Sequence, residues 1–116
     1  DFLLMPSRFE PCGLSQLFAQ RYGALPIGTK TGGLADTIRD LGAHPKDGDG
    51  FHVAEFSAQA LREAVIQAAN LYRHPKALAR ARRTAMRKDS SWGPSLAKYL
   101  ALYRSLLARR TSVLAP

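Results

Sequence analysis

Phe2-Leu3-Leu4-Met5, Pro6-Ser7-Arg8-Phe9-Glu10-Pro11-Cys12-Gly13-Leu14 and, ten residues on, Ala24-Leu25-Pro26-Ile27-Gly28 together decide the fold class of this chain. The first run is apolar with no polar alternation, the pattern of a strand buried on both faces of a parallel sheet. Pro6 and Ser7 end it. Leu14, Leu17, Phe18, Arg21 and Tyr22 then recur at helical spacing, and Gly23 is placed to close that helix in the left-handed conformation. The third run reads as another buried strand. Strand, helix, strand in this order predicts an α/β fold. In an open α/β sheet ligands sit beyond the carboxyl ends of the strands, where Glu10 falls.

The helix predicted to start near Gly13 would present N–H groups without intrahelical partners and the positive end of its dipole. Gly13 allows close approach of a ligand to the backbone. Such a turn suits an anion or a sugar hydroxyl, and Glu10 would add an acceptor and a negative charge beside a developing cation. Residue types alone favour a helix cap as the role of Glu10. Thr31-Gly32-Gly33, after the next strand, forms either a nest of N–H groups for an anion or sugar oxygen, with the Thr31 hydroxyl beside it, or a plain turn before a short helix through Leu34 and Ile38. Lys30 could face a phosphate or simply lie exposed.

The segment Pro6–Leu17, followed by Arg21-Tyr22-Gly23-Ala24-Leu25-Pro26-Ile27 and by Lys30–Ile38, resembles the carboxyl-terminal part of bacterial glycogen synthases and plant starch synthases. Weaker similarity continues through Gly50–Val53, Ala60-Leu61, Leu71-Tyr72, Ala85-Met86, Asp89–Trp92 and Tyr99–Tyr103, up to about Leu107. The resemblance implies a retaining GT-B hexosyltransferase that moves glucose from ADP-glucose to the non-reducing end of an α-1,4-glucan. It implies a Rossmann-like nucleotide-sugar domain whose carboxyl-terminal part spans residues 1–107, with a tail at 108–116. Glu10 corresponds to the catalytic-site glutamate of that family. Cys12, Gly13 and Leu14, with Thr31, Gly32 and Gly33, correspond to groups that hold the glucosyl moiety and phosphate. No metal or cofactor is implied, ADP-glucose being a substrate.

Many retaining relatives outside this branch carry a second glutamate eight positions after the first, where this chain has Phe18. A glycosidase-like pair of carboxylates is thus not available in this segment. Ser15 and Phe18 stand where threonine and tyrosine are more usual.

The chain has 116 residues, room for one domain, and opens on Asp1-Phe2 within an apparent strand, without an initiator Met or a leader. Against a two-lobed family this reads as a fragment. The amino-terminal lobe, its lysine-containing glycine-rich loop, the acceptor contacts and the upstream basic residues that grip the ADP phosphates would then be missing, and the fragment alone is expected to be inactive. No run is apolar enough to cross a membrane. The single Cys12 excludes an internal disulfide and agrees with a reducing cytoplasm; it reads as a small residue of the turn rather than a nucleophile. His44, His52 and His74 lack metal-ligand spacing. The Asp47-Gly48-Asp49-Gly50 turn lacks the remaining ligands of a calcium loop.

Charge is uneven. Residues 1–58 carry 5 basic and 7 acidic side chains, residues 59–116 carry 12 and 2, within a net charge of +8. The excess gathers at Arg73, Lys76, Arg80, Arg82, Arg83, Arg87 and Lys88. A basic helix of this kind could bind nucleic acid through phosphates, but Leu78, Ala81, Ala85 and Met86 give it an apolar stripe and no aromatic residue interleaves the charges. A solvated helix face is favoured over a nucleic-acid surface. Ser57 is placed to cap a helix carrying Leu61, Ala64, Val65, Ala68 and Tyr72, His74-Pro75 to break it, and Ser91 to start a last helix with Pro94 in its first turn. Trp92 is expected to pack at that start. Leu96, Tyr99, Leu100, Tyr103 and Leu107 form its stripe, with the tyrosines expected to be exposed.

Overall fold

The computed structural model describes residues 1–113. Three parallel strands, β1 (Phe2–Met5), β2 (Leu25–Thr29) and β3 (Phe51–Val53), lie in the order β1-β2-β3. Phe2 is opposite Leu25 and Met5 opposite Gly28, while Ile27 is opposite Phe51 and Thr29 opposite Val53. The connections carry helices α1 (Ser15–Arg21) and α2 (Gly32–Thr37); α3 (Ala58–Tyr72), α4 (Pro75–Arg87) and α5 (Trp92–Val113) follow.

Residues alternate across the middle strand and so dictate what packs on each face. Ile27, with Phe51 and Val53 of β3, meets Ala60, Ala64 and Ala68 of α3. Leu25 meets Leu78, Ala81 and Ala85 of α4. On the opposite face Gly28 leaves room for Leu34 and Ile38, which close over it. Alanines on α3 and α4 let both helix backbones approach the sheet, and the larger strand side chains fill the layer between. All five residues of β2 are buried.

Local chemistry sets the helix ends. The Ser57 hydroxyl accepts the Ala60 N–H at 3.1 Å, a normal cap. Pro75 opens α4 immediately after His74, where its missing N–H costs no bond. Gly23 follows α1 at φ +74°. The Ser91 hydroxyl accepts the Gly93 N–H at 3.3 Å at the start of α5.

Several expected faces are different in the structure. β1 is a sheet edge and only half-buried, with Leu4 54 % exposed, because no strand or helix covers its outer side among the described residues. Helix α1 starts at Ser15, with Leu14 as its cap residue, and turns Leu14, Phe18 and Tyr22 outward while Gln16 and Gln20 are buried. On α3, Val65 and Tyr72 are exposed and Ala60 takes an inward place, since the small side chain fits the close approach to Val53. Met86 lies at the rim of α4. Trp92 is 78 % exposed rather than packed, because α5 leaves the body directly after the Asp89–Ser91 turn. Tyr99 and Tyr103 are exposed, as expected. Residues 108–113 of the expected tail continue α5, and 114–116 lie outside the described residues.

The basic run divides by direction. Lys76, Arg80, Arg83 and Arg87 are exposed at spacings of four, three and four, one stripe of α4. Arg82 and Lys88 turn inward instead. The Arg82 guanidinium donates to the Gly23 carbonyl at 2.7 Å and pairs with Asp1 at 2.8 Å. Lys88 pairs with the buried Asp49 at 2.7 Å and donates to the Thr37 carbonyl.

Candidate active site

The residues singled out from the sequence converge at the carboxyl ends of β1 and β2. The chain leaving β1 passes through residues 6–14, and the chain leaving β2 reaches Thr31-Gly32-Gly33 beside it. Their backbones touch directly: a Cβ on Gly32 would overlap the Glu10 carbonyl, and one on Gly33 the Cys12 carbonyl. The Gly33 N–H donates to the Glu10 carbonyl at 2.9 Å. Gly13 lies at φ +67°, a conformation that strains any residue with a Cβ.

Gln16 ties the corner together from below. It is fully buried, and its side-chain nitrogen donates to the Cys12 carbonyl at 3.1 Å, the Gly13 carbonyl at 3.0 Å and the Thr37 hydroxyl at 3.0 Å. The Thr37 hydroxyl in turn donates to the Gly33 carbonyl. One α1 turn away, the Gln20 amide donates to the Thr37 carbonyl at 3.3 Å, which also receives Lys88. The carbonyls of Glu10, Cys12, Gly13, Gly33 and Thr37 are therefore occupied. The N–H groups of Cys12, Gly13, Leu14 and Gly32 have no acceptor among the described residues. Sequence reading missed Gln16, Gln20 and Thr37 as part of the site; the available signal was two glutamines four residues apart, on one face of a helix.

Glu10 does not cap α1, whose start has no side-chain cap. Its carboxylate, half-buried, meets no donor among the described residues. Thr31 is half-buried, and Cys12 is exposed. Arg8, at the rim, lies over the Phe56 ring with its guanidinium carbon 5.1 Å from the centroid, a cation–π contact. Chemically the corner offers backbone donors for an oxyanion or sugar oxygens and one free carboxylate. Lys30, with His52 and Arg87, lines a groove of about 800 Å³ between α2, the 39–49 loop and the end of α4. Among the described residues no cluster of three or more His, Cys, Asp or Glu could hold a metal ion. No described helix is long and apolar enough to cross a membrane.

Comparison with known proteins places this corner in a family. The profile of glycosyl transferases group 1 matches residues 1–85. Glycogen synthase 2 of Geobacter metallireducens is 49 % identical over 110 residues, which cover 95 % of this chain and 23 % of that protein. Glycogen synthase of Xanthomonas campestris pv. campestris is 47 % identical over 116 residues, 100 % of this chain and 22 % of that protein. Among solved structures, the catalytic domain of starch synthase IV from Arabidopsis thaliana, bound to ADP and acarbose, superposes with a TM-score of 0.79 at 36 % identity, over 90 % of this chain and 22 % of that one. Sucrose-phosphate synthase from Thermosynechococcus elongatus gives 0.60 at 26 % identity, over 93 % and 26 %. The chain thus spans less than a quarter of the length of these glycogen synthases. Its parallel strands and helices match part of a GT-B fold, an α/β class as the sequence predicts. On the family profile, the identities and the superposition together, the chain belongs to the group 1 glycosyl transferases.

Proposed function

We propose that this chain supplies the donor-side half of a retaining glucosyltransferase, which moves glucose from ADP-glucose to the non-reducing end of an α-1,4-glucan in the manner of glycogen and starch synthases. The observation that carries the reading is the pairing of one unengaged carboxylate, Glu10, with a set of unpaired N–H groups at Cys12, Gly13, Leu14 and Gly32. In a loose, oxocarbenium-like transition state the sugar gains positive charge while the leaving diphosphate gains negative charge. Glu10 would answer the first and the N–H groups the second. Such donors, fixed before the reaction starts, lower the barrier because no reorganisation is needed. Cys12, Gly13 and Leu14 act here through their backbones, as do Gly32 and Gly33, with the Thr31 hydroxyl toward a sugar oxygen.

The identity to glycogen synthases supports the same reading, as does the starch synthase IV structure, which holds ADP and acarbose. The scheme uses no metal and no organic cofactor, ADP-glucose being a substrate, and it places the protein in the cytoplasm, where that nucleotide sugar is at hand. Acceptor contacts are assigned to an amino-terminal lobe, and the cations for the diphosphate to the part of this domain upstream of Glu10, both outside this chain, so these 116 residues alone should not extend a glucan. The test is glucan extension by the whole glucosyltransferase that carries this segment, wild type against Glu10→Ala. Turnover should fall by at least roughly two orders of magnitude, the scale of losing one preorganised electrostatic group; unchanged turnover overturns the assignment.

A further inference from the structure

We infer that Gln16 is a positioning residue, which holds the two halves of the site in one register through a closed ring of hydrogen bonds. The inference rests on the reading of the site given above, but its geometry is independent of the substrate.

The direction of every bond in the ring is fixed by chemistry. The Cys12 and Gly13 carbonyls can only accept, so the group facing them at 3.1 and 3.0 Å must be the Gln16 NH₂ and not its oxygen. The Gly33 carbonyl also only accepts, so the Thr37 hydroxyl must spend its single proton there. Thr37 therefore receives the Gln16 N–H at 3.0 Å with a lone pair. Gly33 closes the ring by donating its N–H to the Glu10 carbonyl. From Glu10 to Gly33 to Thr37 to Gln16 to Cys12, the circuit returns to the loop it left.

Two consequences follow for the site. Peptide planes are rigid, so pinning the Cys12 and Gly13 carbonyls fixes the orientation of the N–H groups at Gly13 and Leu14, on the far side of those planes. On the β2 side the Thr31 carbonyl, which accepts the Leu34 and Ala35 N–H groups, orients the Gly32 N–H in the same way, and the bond from Thr37 to the Gly33 carbonyl ties that turn to Gln16. The donors of the first loop therefore cannot rotate without breaking a bond to Gln16, and Gln16 cannot move without disturbing Thr37. The side-chain oxygen of Gln16 is buried without a partner among the described residues, while the two protons of its amide nitrogen are shared among three acceptors. Gln16 touches no substrate position itself; it acts through the backbone it holds.

Hydrogen exchange on the whole glucosyltransferase that carries this segment, with ADP-glucose as the probe ligand, tests this. Gln16→Met keeps the length and apolar bulk of the side chain and removes every donor. It should speed exchange of the Gly33 N–H by at least roughly tenfold, with Ala64 and Ala68 in α3 unchanged as a check that the body is folded. Thr37→Val should reproduce the Gly33 effect, and Thr37→Ser, which keeps the hydroxyl, should restore wild-type protection. If Gln16→Met folds with Gly33 protected as in the wild type, or if Thr37→Ser fails as Thr37→Val does, the ring has no positioning role. Millimolar ADP-glucose should shift the Gly13 and Leu14 amide resonances of the wild type and of Thr37→Ser, and at least tenfold less in Gln16→Met. Equal shifts in Gln16→Met overturn the inference. Absence of any shift in the wild-type whole enzyme counts against the substrate reading instead, and leaves the ring to be decided by the exchange result.

Discussion

Helices α4 and α5 have similar patterns in the sequence and opposite surroundings in the structure. Each carries apolar residues at helical spacing and a set of cations. In α4 the stripe is Leu78, Ala81 and Ala85, all buried against Leu25. In α5 the stripe is larger and more aromatic, yet every described side chain from Trp92 to Arg109 is exposed. Periodicity reports that a helix has an apolar face; it does not report what lies against that face. Side-chain size carries part of the missing information. Alanines mark a helix whose backbone approaches a sheet closely, whereas tyrosines and leucines reach for a partner further away.

That contrast can be broken by substitution. The largest effect is expected from Leu78→Ala, which empties a packed position and should cost about 2–5 kcal/mol in the midpoint of chemical unfolding. Ala85→Leu overfills the same layer and should cost about 1–3 kcal/mol by the same measurement; a neutral result would mean that α4 packs loosely. Leu100→Ala on α5 should change the unfolding free energy by less than about 0.5 kcal/mol, as a surface position does. A loss comparable to that of Leu78→Ala would show that α5 folds back onto the body.

The smallest effect concerns the join between the two helices. Hydrogen bonds from the Ser91 hydroxyl, and then from its backbone N–H, hold the Asp89 carboxyl below its ordinary value of 3.8. A depressed folded value means that the turn is favoured above the ordinary value, and that this contribution disappears as the pH falls through the lowered one. Amide resonances of Ser91 and Gly93 should therefore move as the pH falls below the ordinary value of 3.8, with those of α4 unmoved. Replacing Asp89 by Asn should abolish the movement.

Much of the scaffold was legible because its signals are local. Ser57 caps, Pro75 starts a helix and Gly23 ends one for reasons contained within a few residues. The convergence of Glu10 with Gly32-Gly33 was legible through the strand order, since consecutive parallel strands bring their following loops to one edge. What could not be read was the inward face of α1. Leu14, Phe18 and Tyr22 look like a core stripe, but the space beneath α1 is filled with backbone carbonyls from Cys12, Gly13 and Thr37. A leucine there would leave those acceptors unpaired in a buried place, at a cost of about 1–3 kcal/mol each, so glutamine is the better buried residue. Similarly, the exposure of β1 and of Trp92 depends on what lies across them, a property of long-range arrangement rather than of the residues.

The contact between Gly32-Gly33 and the carbonyls of Glu10 and Cys12 has a bearing on library design. These two positions encode the site by atoms that are missing, and a single methyl at either one separates the loops. In the whole glucosyltransferase proposed above, a randomised library spanning residues 6–14 and 30–37 should therefore return glycine at 32 and 33 in every active clone, whatever donor is selected for. Diversity would concentrate at Arg8, Phe9 and Thr31, whose side chains border the corner without holding it together. For an engineer seeking altered donor choice, the useful search space is thus the rim, and it is small enough to sample exhaustively.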